Sequence, residues 1–141
     1  MRSNDEKNVT YLSYTGMHEP LAESQVIPYV NLIGKFSEVH IISYEKYQLT
    51  DLEKQNILAK FKSYKVRWSS KKYHKFPRML ATIYDILSMV YLLILDRQKN
   101  KMHYIHCRSY VTCIAAFFYS FFFSGARYIF DMRAFWPDEL V

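Results

Sequence analysis

Five short runs rich in β-branched and aromatic residues alternate with longer stretches of helical periodicity, and this order is what most constrains the fold. The extended runs are Val9–Tyr14, Glu38–Tyr44, a short one at Tyr64–Trp68, Met102–Cys107 and Arg127–Phe130. A helical pattern starts near Ser24 with Val26, Ile27, Val30 and Ile33 at helix spacing, and Gly34 reads as its stop. Pro28 fits only in a first turn, where its missing N–H would be unpaired anyway. Thr50-Asp51-Leu52-Glu53 has the form of a capping box and opens a helix expected to reach about Lys62. Pro77 suits the first position of a long helix, with Leu80, Ile83, Leu87, Val90, Tyr91 and Ile94 as its expected core stripe and Thr82, Asp85 and Ser88 opposite. Ser109 is placed to cap an apolar helix running to Phe123.

Strand–helix alternation of this kind predicts an α/β fold: a parallel sheet with helices on both faces. The 141 residues are half hydrophobic, enough for one domain spanning 1–141 with its own core. Three Gly and four Pro argue against turn-dense all-β chains and linkers. Cys107 and Cys113 lack the number and spacing of a disulfide scaffold or a four-ligand zinc site, so packing is the expected role of both. His103 and His106 have no third ligand beside them in the sequence, and no metal is expected. The polar start carries no apolar signal-peptide core, which leaves a cytoplasmic setting as the default.

In open parallel sheets, ligands gather beyond the carboxyl ends of the strands. Polar clusters fall there in this sequence: Gly16, His18 and Glu19 after the first strand, Arg108 after the fourth, Asp131 and Arg133 after the fifth. A glycine can turn tightly and bring backbone N–H groups toward a phosphate. His18 and Glu19 can accept a proton or bind sugar hydroxyls, and a carboxylate such as Asp131 at a strand tip can act as a base. Arg108 and Arg133 can bind phosphate through two parallel hydrogen bonds. The competing structural roles are a plain turn for Gly16, exposure for His18 and Glu19, and an ion pair of Asp131 with Arg108 or Arg133.

Charge is uneven. From Lys60 to Arg78 there are eight Lys or Arg and no acid, so this segment supplies the whole net charge of +6. Tyr64, Trp68, Tyr73 and Phe76 interleave with it, which suits contact with anionic headgroups. Lys71, Lys72 and Lys75 are the expected membrane-surface cations, against the plainer reading of a solvated loop and helix end. No motif for nucleic acid appears, and none is expected as a partner. Ser109–Ala126 and Met79–Leu95 also invite comparison with a two-helix membrane hairpin. Both are marginal against the roughly 20 predominantly apolar residues a span wants, and Asp85 interrupts the second. The aromatics of Phe117–Phe123 are expected in the core, or facing a partner.

Three segments resemble one family in register. Tyr14–Val26 (YTGMHEPLAESQV), Ile105–Tyr110 (IHCRSY) and Phe130–Glu139 (FDMRAFWPDE) are similar to the amino-terminal domain of family 4 glycosyltransferases of the GT-B fold. The resemblance implies a Rossmann-like amino-terminal half of an enzyme that moves a sugar, with retention, from a nucleotide donor to a glycan or lipid-linked acceptor. It also implies that this half shapes the acceptor side and that a separate donor-binding half holds the nucleotide sugar. The family's donor-side phosphate residues and paired glutamates have no counterpart among the 141 residues, so a truncated or split enzyme without activity of its own is expected. A non-catalytic module of the same fold is the alternative. Gly16 stands alone where the family has two adjacent glycines, and Ala134 stands where it usually has glycine. The basic segment would then hold the chain peripherally at the inner face of the plasma membrane.

Overall fold

Short apolar strands separated by helices are free to pair side by side in one direction, because each helix carries the chain back to the starting edge. The computed structural model describes residues 7–62, 65–72, 78–97 and 103–131. In it β1 (Asn8–Ser13), β2 (Glu38–Glu45), β3 (Val66–Lys72), β4 (His103–Cys107) and β5 (Ala126–Phe130) form one all-parallel sheet in the order β3-β2-β1-β4-β5. Tyr11 pairs with Ile41 on one side and His106 on the other, which fixes the central register. The chain builds outward from β1 to β3, then crosses back to β4, so the direction of travel reverses between β1 and β4. Right-handed crossovers put helices on opposite faces on either side of such a reversal. The predicted α/β Rossmann-like class is the observed one.

On one face, α1 (Ile27–Ile33) and α2 (Asp51–Leu58) cover Tyr11, Val39 and Ile41, with Val26, Ile27, Val30 and Ile57 buried against them. On the other, α3 (Arg78–Asp96) and α4 (Tyr110–Phe122) cover Leu12, Ile42 and Ile105, with Met89, Leu93, Ala115, Ala116 and Tyr119 buried. Removing a side chain the size of Leu93 from water stabilises by about 1.5–3 kcal/mol. Both expected caps form. Thr50 and Glu53 satisfy each other's backbone N–H at the start of α2, and Ser109 and Thr112 do so for α4. α2 stops at Leu58, short of Lys62. Pro28 is in the first turn of α1, but helical backbone already precedes it: a π-turn, Ala22–Val26, in which the Ile27 N–H reaches back to the Ala22 carbonyl. The wider turn absorbs the hydrogen bond that Pro28 cannot make.

Two expectations need correction. β3 runs to Lys72 instead of ending at Trp68, so Lys71 and Lys72 are exposed residues of an edge strand. Charge on an edge strand also blocks pairing with other chains. More consequentially, the expected core stripe of α3 faces outward. Leu80, Leu87 and Tyr91 are 65%, 63% and 61% exposed, Ile83 and Ile94 are exposed too, and Val90 is only partly buried. Ala81, Asp85, Met89, Leu93 and Asp96 point in. The period of α3 thus picks the side that faces outward; hydrogen bonds to the sheet fix its facing. Tyr14 donates to Asp85 (2.7 Å), Tyr44 to Ser88 (3.0 Å) and Thr10 to Asp96. The aromatics of α4 likewise turn out: Phe117, Phe118, Phe121 and Phe122 are exposed, and Tyr119 alone of that run is fully buried. Met79–Asp96 is long and apolar enough to cross a membrane. It lies along the sheet, however, and five strands are not the architecture of a two-helix hairpin.

Candidate functional site

The carboxyl ends of β1 and β4 are neighbours whose following segments depart in opposite directions, which opens a crevice at the strand tips. Arg108 follows β4 directly, and its backbone N–H bonds the Leu12 carbonyl of β1. The residue as a whole is 8% exposed. Nη2 donates to Gln25 Oε1 at 2.8 Å and Nη1 to the Tyr11 hydroxyl at 3.4 Å. Gln25 reaches it from the π-turn, so the irregularity that accommodates Pro28 also sets this contact. Both partners are neutral. Among the described residues no carboxylate lies within ion-pair distance of Arg108. A buried cation with neutral partners is costly and calls for an anion.

Beside it stands a second polar group. The His106 ring stacks on Tyr11 at 4.6 Å between centroids, and its Nδ1 is 3.2 Å from the Tyr29 hydroxyl. Its Nε2 faces Asp131 Oδ2 at 3.5 Å, and Asp131 is anchored by its backbone N–H on the Cys107 carbonyl. Asp131 therefore pairs with His106 rather than with Arg108. Its partner in the competing reading, Arg133, lies outside the described residues, as does Lys75. With Tyr29 donating to Nδ1, the imidazole presents Nε2–H to the carboxylate, an arrangement able to take up or pass on a proton.

The loop after β1 belongs to a different cluster. Glu45, at the tip of β2, is 1% exposed and accepts hydrogen bonds from the Met17 N–H (3.0 Å) and the Ser43 hydroxyl (2.6 Å), while His18 Nδ1 lies 2.7 Å from its Oε2. Trp68 in turn donates to Ser43. A Cβ on Gly16 would meet Glu45 Oε2 at 2.3 Å and the His18 ring at 2.7 Å, so glycine is needed here for close packing. Glu19 pairs with Lys46 at 3.2 Å. Among the loop's N–H groups, that of Met17 is thus already engaged by a carboxylate.

Of the sequence-predicted residues, the structure brings Arg108 and Asp131 to one region and holds Gly16, His18 and Glu19 around Glu45. Glu45, Tyr11, Gln25 and Tyr29 escaped sequence reasoning. Glu45 had one signal, a carboxylate at the carboxyl end of a strand; the others converge only once β1 and β4 are known to be neighbours. Burial pushes the Cys107 and Cys113 thiols up, which disfavours the reactive thiolate. A cavity of about 460 Å³ between α1 and the Lys60–Lys62 turn shares no residue with the strand-tip cluster. Its depth comes from surface relief, and the convergent polar groups lie at the strand tips instead. No protein-family model matches the chain, and no curated protein does.

Proposed function

We propose that the chain is the acceptor-side half of a retaining glycosyltransferase of the GT-B fold, which moves a sugar from a nucleotide donor to a glycan or lipid-linked acceptor. The observation that carries the reading is Arg108: a buried guanidinium at the β1/β4 tips whose partners Gln25 and Tyr11 are both neutral. A phosphate or diphosphate supplies the charge it lacks and matches its planar donor fork. Asp131, next to His106, serves as proton acceptor for an acceptor hydroxyl at the same strand tips. The loop of Gly16, His18 and Glu19, braced by Glu45, forms the neighbouring wall. The nucleotide sugar itself is held by a donor-binding half. Lys71, and Lys72 beside it, add an electrostatic attraction to an anionic membrane on the cytoplasmic side.

Titration calorimetry with inorganic diphosphate and a short-chain polyprenyl diphosphate tests this. At least one phosphate-bearing ligand should bind, and Arg108→Ala should weaken it tenfold or more. Binding by none, or binding indifferent to Arg108→Ala, overturns the reading.

A further inference from the structure

Among the described residues, nothing covers the outer side of the α3/α4 layer. Helices α3 and α4 pack side by side on the same sheet face and run in the same direction, from the carboxyl edge to the amino edge. Their outward residues include Leu80, Leu87 and Tyr91 on α3, and Phe117, Phe121 and Phe122 on α4, the last two 78% and 72% exposed. Nineteen residues of α3 span about 28 Å, and two adjacent helices about 20 Å, so the face is on the order of 500 Å². That is the size of the largest apolar patch on an ordinary monomer, and such patches are often functional.

Charge identifies the occupant. α4 contains no ionisable Asp, Glu, Lys or Arg. The two carboxylates of α3, Asp85 and Asp96, are 0% and 8% exposed and point into the sheet, so α3 and α4 present no carboxylate on their outer side. Cations edge the layer instead. Lys71 lies on edge strand β3 in register with Tyr44, whose side chain faces α3, and Arg97 closes the far end over the Phe123 ring. Pressing two copies together through this face would juxtapose like-charged rims on chains of net charge +6. An anionic bilayer accepts both features: its acyl boundary takes the aromatic and aliphatic face, and its headgroups take the rim.

We propose that the α3/α4 layer is a membrane-docking face that lies in the plane of an anionic lipid interface, with its outward side chains below the headgroups. This deepens the membrane-surface part of the reading above by naming the surface, and it does not depend on the Arg108 site. Flotation of the full chain with vesicles of phosphatidylcholine and phosphatidylglycerol (7:3) tests it. Wild type should float with these vesicles and several-fold less with pure phosphatidylcholine. Leu87→Glu/Phe121→Glu, at two solvent-facing positions, should cut binding at least tenfold while circular dichroism stays unchanged. Lys71→Glu should give a smaller, salt-sensitive loss. A second measurement avoids charge insertion altogether: in Tyr91→Trp, the added emission should shift to the blue on contact with vesicles and be quenched by brominated lipid.

Wild type that stays in solution overturns the proposal, as does a double glutamate variant that still floats or a Tyr91→Trp signal that vesicles leave unchanged. A wild-type dimer that the double variant converts to monomer, with no vesicle binding, assigns the face to a second copy and also overturns it. Loss of flotation with phosphate-ligand binding intact separates this face from the Arg108 site.

Discussion

The sheet carries a polar cluster at each end, built from nearly the same residue types, and the two are opposites in accounting. At the amino edge, Asp96 is ringed by Thr10, His40, Arg67 and His103. Thr10 is 2.6 Å from His103 Nε2, His103 Nδ1 is 3.0 Å from the Tyr119 hydroxyl, and His40 Nε2 is 2.8 Å from Ser69. His40 Nδ1 sits 2.9 Å from Asp96 Oδ1. The carboxylate meets a guanidinium, and α3 and α4 seal the group. At the carboxyl edge, Arg108 has neutral partners, and His106 and Asp131 meet at a loose 3.5 Å. A His and an Asp near parallel strands therefore say little about function. What separates a structural knot from a site is whether the charges close among themselves and which end of the strands they occupy.

The difference is broken most forcefully at Asp96. Asp96→Ala should cost about 3–5 kcal/mol, because it strands Arg67 and the histidines without their buried anion. Asp131→Asn at the other edge should change stability by less than about 0.5 kcal/mol. Urea midpoints of the two variants measure both. Equal losses would mean that the carboxyl-edge pair also holds the fold together.

Gly16→Ala comes next, at about 1–3 kcal/mol, since the new methyl must displace the Glu45 carboxylate or the His18 ring. The loop is thus closer in kind to the amino-edge knot than to the Arg108 crevice. Thermal unfolding of Gly16→Ala beside Gly125→Ala gives the control, because a Cβ on Gly125 meets nothing within 4 Å. If both alanines behave alike, Glu45 does not brace the loop.

Acid should dissolve the amino-edge knot in two stages. Burial holds the His103 imidazole below its ordinary range, with Arg97 and His40 adding to the shift against the pull of Asp96. The unfolded chain therefore takes up that proton first, and stability falls as pH drops below about 6.5. For Asp96, burial would raise the carboxyl, but the His40 contact, the Thr10 hydrogen bond and the charges of His40 and Arg67 together hold it below its ordinary range. Its contribution is present above about pH 3.9 and is lost as pH falls further. Urea midpoints from pH 7.5 down to 2.5 should show both declines, and His103→Gln should remove the upper one. A midpoint that is flat between pH 7 and 5 would leave His103 without the assigned role.

Much of this contrast was legible in the residues, and the rest fails for identifiable reasons. β-branched runs at regular spacing set the sheet, and Thr50/Glu53 and Ser109 announced two helix starts, because each signal is local. Arg108 and Asp131 could be placed at strand tips from position alone. The facing of α3 could not, since its apolar stripe turns outward and the deciding hydrogen bonds come from Thr10, Tyr14 and Tyr44, more than forty residues away. Gln25 and Tyr29 were hidden for the same reason: their meeting with Arg108 and His106 is a product of β1–β4 adjacency. Local codes were readable; long-range polar choices were not.

The smallest stability effect is the sharpest discriminator. Arg108→Met keeps much of the side chain's length and removes a buried charge that no carboxylate among the described residues compensates. Replacing a buried ionic group by an apolar one of similar volume is often neutral or stabilising, so the urea midpoint should stay within about 1 kcal/mol of wild type and lean toward a gain. Gln25 and the Tyr11 hydroxyl each lose one hydrogen bond, which works against that gain. Phosphate-ligand binding should nevertheless fall at least tenfold. A stability cost of several kcal/mol would place Arg108 with Asp96, as a strut of the fold. Little cost together with lost binding would show a cation kept at the strand tips for its ligand, at the expense of a better-packed sheet edge.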